Sequence, residues 1–265
     1  RRQVGLDWFG RLGLFGVNVV ITRDVRGNAE FAEKIIEKGG NPIEFATISL
    51  KSLTSSNEFL RTLTHFGDYR WIVFTSANGV RVFFDYLEQL GKDSRVFATA
   101  QVAAIGPSTA RELAKNGIKA DFVPSEYTTR VLGEQLISKA DLAGKKMLLL
   151  RSEYASDELV KLLSASGAVV DDVATYTVAP VKGDAKRLAE RIRNGEVDWI
   201  TFTSPSTVES FFEQVDVDVV NSGKVKVASI GPVTSEKLRQ VGIETSYQVR
   251  EHTTDGLLAV IEECK

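Results

Sequence analysis

Cysteine, methionine, histidine and proline are all scarce: in 265 residues there are one cysteine, one methionine, two histidines and six prolines. The lone thiol, Cys264, stands next to the C-terminus, so an intrachain disulfide is impossible and a cysteine-ligated metal site has no support. A reducing, cytoplasmic setting fits. No run of about 18 apolar residues occurs, and the N-terminus lacks the charged-then-apolar layout of an export signal, so neither a membrane span nor secretion is expected. An excess of charge is missing too. Thirty-three basic against thirty-five acidic residues leave no broad positive field to draw the chain onto a nucleic-acid backbone. An anionic ligand would have to be held locally, by helix N-termini and a few arginines. No GxGxxG follows an apolar run, no GxxxxGK[ST] occurs, and His65 and His252 have no nearby ligand set, which removes support for nucleotide, hydride-transfer and metal-hydrolase chemistry. The first residue is Arg1 rather than methionine, as in a processed product or an excised fragment.

What is present is a repeat. Asn18-Val19-Val20-Ile21-Thr22-Arg23 reappears as Lys146-Met147-Leu148-Leu149-Leu150-Arg151, and Trp71-Ile72-Val73-Phe74-Thr75-Ser76-Ala77-Asn78 returns as Trp199-Ile200-Thr201-Phe202-Thr203-Ser204-Pro205-Ser206, both at a spacing of 128. Val102 to Thr109 then matches Val227 to Thr234 after a three-residue contraction, and Tyr127-Thr128-Thr129 answers to His252-Thr253-Thr254. Each block reads as a short β-branched run, a turn of Thr, Ser, Gly and Pro, and a helix-period segment, which is βα alternation and therefore parallel sheets. Helical stripes run through Phe31, Ala32, Ile35 and Ile36, through Phe83, Phe84, Leu87 and Leu90, and through Phe211, Phe212 and Val215. Glycine stops follow at Gly39, Gly91, Gly117, Gly167 and Gly242. The expectation is an α/β protein of two lobes from an internal duplication, with about five strands in each doubly wound sheet. Residues 45–50 and 173–178 look like equivalent alternating strands that connect the lobes and could pair as a two-stranded hinge.

Ligands of open α/β sheets sit beyond the carboxyl ends of the strands, where helix N-termini present unpaired N–H groups. The repeated turns lie there. Thr75, Ser76 and Asn78, with Thr203, Ser204 and Ser206, can cap a helix or cradle a carboxylate. Gly106 and Gly231 each precede a proline suited to the first helical position, with Ser108, Thr109 and Thr234 just behind them. A threonine hydroxyl there can face a ligand or bond back to a helix carbonyl. Arg23 and Arg151 end equivalent first strands, where a guanidinium can meet a carboxylate or form a surface salt bridge. Tyr176 has no chemical twin, because its counterpart is Ile48; it is either a hydrogen-bond donor supplied by one lobe alone or strand packing.

Taken together, the blocks Val19–Arg23, Phe74–Val80, Ala104–Ala110, Tyr176–Val178 and Ile230–Thr234 resemble the uroporphyrinogen-III synthase family, over about residues 16–263. The resemblance implies a cofactor-free hydro-lyase with no metal. Such an enzyme closes the linear tetrapyrrole hydroxymethylbilane into uroporphyrinogen III, inverting the last ring through a spiro intermediate with loss of water, in haem, sirohaem and cobalamin biosynthesis. It implies two flavodoxin-like lobes joined by a β-ladder, residues 16–48 with 175–265 forming one and 49–174 the other, although periodicity alone would assign one lobe to each repeat. It also implies that Tyr176 is the general acid and that the substrate lies between the lobes. The expected molecule is a monomer whose partner is that small molecule, received by transfer from hydroxymethylbilane synthase, with neither nucleic acid nor membrane. Residues 1–15 look like the linker found where such a synthase is fused behind a uroporphyrinogen-III methyltransferase, except that Gly13 stands where proline is usual. Arg250-Glu251-His252 departs from Ser125-Glu126-Tyr127, so contacts there are not expected to carry over between lobes. A two-lobe anion-binding module and a catalytically silent domain of a fusion are the competing readings.

Overall fold

A computed structural model describes residues 12–98 and 100–264. The chain divides into two compact units: the described parts of Arg1–Ser49 and Val178–Lys265 form the first, and Leu50–Thr177 the second. Of the expected linker, residues 1–11 lie outside the described residues. The remainder is not linker throughout, since Leu14 is fully buried in the core of the first unit.

The first unit holds β1 (Asn18–Ile21), α1 (Val25–Glu37) and β2 (Asn41–Glu44) from the start of the chain. From the end of the chain it takes α7 (Ala185–Arg193), β8 (Trp199–Phe202), α8 (Pro205–Phe212), α9 (Val217–Ser222), β9 (Lys226–Ser229), α10 (Pro232–Gln240), β10 (Tyr247–Gln248) and α11 (Thr254–Glu263). Its sheet has the order β10-β9-β8-β1-β2, all parallel. Counted within the unit this is 2-1-3-4-5, the flavodoxin-like order, with its switch point between β1 and β8. Alternate strand residues feed opposite faces. Val20, Ile200, Phe202 and Val227 pack with α7, α8, α9 and Leu238 of α10, while Val19, Ile21, Trp199 and Ala228 pack with Phe31 and Ile35 of α1 and Leu257 and Ile261 of α11. Both faces of the sheet are therefore covered at its centre, which is why β1 and β8 are buried almost throughout rather than alternating, while the edge strands β2 and β10 carry exposed polar residues.

The second unit contains α2 (Asn57–Thr64), β4 (Trp71–Phe74), α3 (Ala77–Gln89), β5 (Gln101–Ala104), α4 (Pro107–Lys115), α5 (Thr129–Lys139), β6 (Lys146–Ser152) and α6 (Glu158–Ala165). Two more strands, β3 (Ile48–Ser52) and β7 (Val169–Pro180), hold the points where the chain passes from one unit to the other, and they are neighbours in the order β3-β7-β6-β4-β5. Phe122 bridges Ala103 in parallel beyond β5, in the place β10 takes in the first unit. With β6 and β7 as its first and second strands, this unit repeats the 2-1-3-4-5 order, with the switch point between β6 and β4. Each unit thus takes its first βαβ element from one repeat and the rest from the other.

Three details differ from the sequence-based expectation. Phe45, Ala46 and Thr47 are not in a strand; only β3 from Ile48 onward is. Ile36 and Leu90, read as members of the apolar helical stripes, are 54% and 44% exposed. Tyr176, which the family analogy assigns to the first unit, belongs to the second, because β7 continues past Val173 and Tyr176 pairs with Ser152 of β6. The five anticipated glycines each follow a helix C-cap with φ between +64° and +88°. A side chain would clash in that left-handed conformation, so glycine ends the helix at little cost.

Candidate functional site

In both units the strands end in turns that start helices. In the second unit Thr75 and Ser76 follow β4, and Ser76 is the N-cap of α3, its Oγ accepting from the Gly79 N–H at 3.0 Å. The same Oγ lies 2.9 Å from Tyr176 Oη. Tyr176 reaches it because of an irregularity in β7: Arg151 pairs with Ala174 but Ser152 with Tyr176, so Thr175 is an extra residue in the ladder. Bulges of this kind re-aim the side chain that follows. The backbone is held on both sides, the Glu153 N–H donating to Tyr176 O at 3.0 Å and the Leu53 N–H to Thr175 O at 2.9 Å. Tyr176 is 6% exposed and Ser76 half-buried. Asn78, in the first turn of α3, has its side-chain oxygen buried without a hydrogen-bond partner among the described residues.

The matching turn of the first unit is wired differently. Ser204 caps α8 and forms a reciprocal box with Thr207, whose hydroxyl also accepts from the Ser204 N–H; Ser204 Oγ lies 2.9 Å from Ser206 Oγ. Thr203, beside it, is half-buried like Thr75. The counterpart of Gly79 is Thr207, and glycine at 79 lets α3 approach the strand ends: a Cβ there would stand 3.3 Å from Leu150 O and from Ser76 Oγ.

The glycine-proline turns have no side-chain cap. Gly106 and Gly231 are N-caps of α4 and α10 without a side-chain cap, each followed by proline at the first helical position. Their φ values are extended, so backbone conformation does not require glycine. Close packing does: a Cβ on Gly106 would come within 3.1 Å of Tyr127, and one on Gly231 within 3.2 Å of His252. The expectation that this corner differs between the units therefore holds for residue type but not for placement, since both rings cover equivalent glycines. Thr109 and Thr234 are each 3% exposed, and neither hydroxyl is engaged in a bond back to a helix carbonyl among the described residues. Ser108, between Pro107 and Thr109, is exposed. With no side chain spent on capping, the first turns of α4 and α10 keep the donors and dipole that favour a carboxylate.

The two arginines part company. Arg151 is 3% exposed and its fork is committed: Nε and one terminal nitrogen donate to the two oxygens of Asp172, each at 2.5 Å, and the other donates to Ser156 O. Its role as a carboxylate receptor is corrected to that of an internal clamp between β6 and β7, because the bidentate site is already filled by a carboxylate of its own chain. Arg23 follows β1, half-buried, with its guanidinium against Gly27 in the first turn of α1.

Thr47 and Thr175, not among the residues expected from the sequence to have a role, are buried. Their hydroxyls donate to Thr22 O at 2.7 Å and to Arg151 O at 3.2 Å, tying the second strand's continuation to the end of the first in each unit. The signal was present: Ala46-Thr47 and Ala174-Thr175 are one dipeptide at the repeat spacing.

A family model for uroporphyrinogen-III synthase HemD matches residues 29–259. A porphyrin biosynthesis protein HemD of Ruminiclostridium josui is 29% identical over 94% of this chain, which spans 48% of that protein's length. A uroporphyrinogen-III synthase of Synechococcus elongatus is 28% identical over 94% of this chain and 96% of its own length. Among solved structures, a uroporphyrinogen-III synthetase from Helicobacter pylori superposes with a TM-score of 0.61 at 16% identity, covering 94% of this chain and 99% of that one. A mutant uroporphyrinogen III synthase from Thermus thermophilus gives 0.60 at 22%, covering 93% and 98%; at these identities the two likenesses speak for the fold. Because the family model spans nearly the whole described chain, from α1 into α11, the chain belongs to the uroporphyrinogen-III synthase family.

Proposed function

We propose that the chain converts hydroxymethylbilane to uroporphyrinogen III with loss of water, a hydro-lyase reaction that inverts the last pyrrole ring. The observation that carries the reading is the Tyr176–Ser76 hydroxyl pair, set at the switch point of the second unit, where ligands of doubly wound sheets bind. Acetate and propionate side arms suit helix starts with uncapped amides, and those of α4 and α10 fit that task without a large positive charge. Buried Thr109 and Thr234 would add a hydroxyl at each, and Arg23 a cation at the end of β1.

The chemistry asked of the protein is orientation and one proton. Tyr176 gives its proton to the departing hydroxyl oxygen, the C–O bond breaks and water leaves. The cationic methylene is attacked by the substituted carbon of the last ring to give the spiro centre, which opens and recloses with that ring reversed. The proton lost as the final pyrrole regains aromaticity returns to the tyrosinate. Holding the chain near the spiro geometry is the larger contribution, because spontaneous closure yields the unrearranged isomer.

The test is to supply freshly generated hydroxymethylbilane and resolve the oxidised products by chromatography. The type III isomer, formed faster than spontaneous closure, is expected. Only the unrearranged isomer at the spontaneous rate would leave the chain as an anion-binding or silent member of its family.

A further inference from the structure

We infer that Ser76 is a positioning residue that acts through Tyr176, rather than a ligand of the substrate carboxylates; this rests on the proposed role of Tyr176 as the acid. The Ser76 hydroxyl is engaged on two sides. Its oxygen accepts from the Gly79 N–H at 3.0 Å and lies 2.9 Å from Tyr176 Oη. In the resting protein either hydroxyl can be the donor of that second bond. Once Tyr176 has given up its proton the ambiguity ends: a tyrosinate can only accept, so Ser76 must donate. The bond then becomes charge-assisted, and it is stronger after proton transfer than before it. Only an interaction that strengthens in this way accelerates the step.

The backbone of α3 reinforces the effect. The Gly79 N–H belongs to the first turn of the helix, so Ser76 relays the positive end of a 13-residue helix to the phenol oxygen. Gly79 and the extra residue Thr175 both serve this geometry. Without a side chain at 79, α3 comes close to Leu150 O and Ser76 Oγ, and the irregularity at Thr175 brings Tyr176 opposite Ser152. The first unit supplies an internal control. Ser204 caps α8 in the same way, but the residue matching Tyr176 is Ile48, which has no hydroxyl, and Ser204 Oγ faces Ser206 instead.

Proton and electrons balance without any added reagent. The Tyr176 proton goes to the leaving hydroxyl, the C–O electron pair leaves with water, and Ser76 keeps its own proton throughout while sharing it with the tyrosinate. The proton released by ring closure restores Tyr176.

Steady-state formation of the type III isomer is measured for the wild type, Ser76→Ala, Ser76→Gly, Ser76→Thr, Tyr176→Phe and the Ser76→Ala/Tyr176→Phe pair, with a thermal melt of each. Loss of a hydrogen bond to a developing charge should lower kcat roughly 10- to 100-fold with KM little changed. Ser76→Gly, which retains most of the cap, should be as slow as Ser76→Ala, and Ser76→Thr should restore turnover. In the Tyr176→Phe background, removing Ser76 should cost nothing further, because its target is gone. The inference is overturned if the double variant is slower than Tyr176→Phe by the full Ser76 factor, or if KM rises while kcat holds, since either result puts Ser76 on the substrate. If Tyr176→Phe retains full turnover, the acid assignment itself fails, and this inference with it.

Discussion

The first turns of α3 and α8 descend from one duplicated segment, and the difference between them shows how a repeat becomes an asymmetric site. Both are capped by a serine. In α8 the cap is closed on itself by Thr207, and the hydroxyls of Ser204, Ser206 and Thr207 are bonded within the turn. In α3 the third helical residue is glycine, the reciprocal bond is absent, and the serine hydroxyl turns to a tyrosine from a strand 100 positions away. Stability at one turn has been exchanged for a polar contact at a strand end. The arginines show the same divergence, Arg151 locked by Asp172 and Arg23 lying along α1.

The sharpest way to break this comparison is to make position 176 apolar, as position 48 is. Tyr176→Phe should lower kcat by about 100-fold with the melting temperature nearly unchanged, since the ring still packs; this is the scale of a positioned acid. Full activity would reduce Tyr176 to strand packing and leave the two units functionally alike. Next comes the clamp. Arg151→Met leaves Asp172 without its partner and should destabilise by about 2–4 kcal/mol, read from denaturant midpoints. If KM rises while the midpoint stays, Arg151 meets substrate and the contrast with Arg23 disappears.

The caps can be set against each other directly. Thr207→Ala removes the reciprocal bond in α8 and should cost about 1 kcal/mol with kcat unmoved. Gly79→Ala adds a good helix former to α3, but its Cβ presses on Leu150 O and Ser76 Oγ, so kcat should fall several-fold although helix propensity favours the change by about 1 kcal/mol. Equal kinetic effects of the two substitutions would refute the division of labour. The smallest expected effect distinguishes the units at high pH. Burial, and then the hydrogen bond to Asp171 at 2.5 Å, raise the Tyr69 hydroxyl above the usual phenol range. A raised value means that the stabilisation is complete below the unfolded phenol value of about 10 and is lost as pH rises toward the folded one. Tyr69→Phe should therefore flatten the alkaline fall in melting temperature; an unchanged fall would place its origin elsewhere.

Much of the fold was legible because it is written locally. A glycine after an apolar stripe marks a helix end wherever the helix packs, and Gly39 and Gly117 needed no knowledge of their neighbours. Thr128 and Thr253 likewise cap α5 and α11 through oxygens that reach only three residues ahead. The site was legible only in part. Asp172 is 21 positions from Arg151, and nothing in the two residue types says that they meet rather than each finding water or substrate. The ring of His252 over Gly231, matching Tyr127 over Gly106, was hidden because two unlike residues fill one place for their shape rather than their chemistry.

The sequence by itself determined the duplication, the βα alternation, five glycine-marked helix ends and the set of turns at strand ends, since these follow from periodicity and from bonds spanning a few residues. Periodicity did not show which half of each repeat joins which sheet, which only the family resemblance implied, and tertiary structure alone decided that Arg151 is consumed internally and that Tyr176 shares a hydrogen bond with Ser76. Such choices depend on parallel strand pairing, in which neighbours in space are far apart along the chain, and on a single extra residue at Thr175 that no local pattern announces.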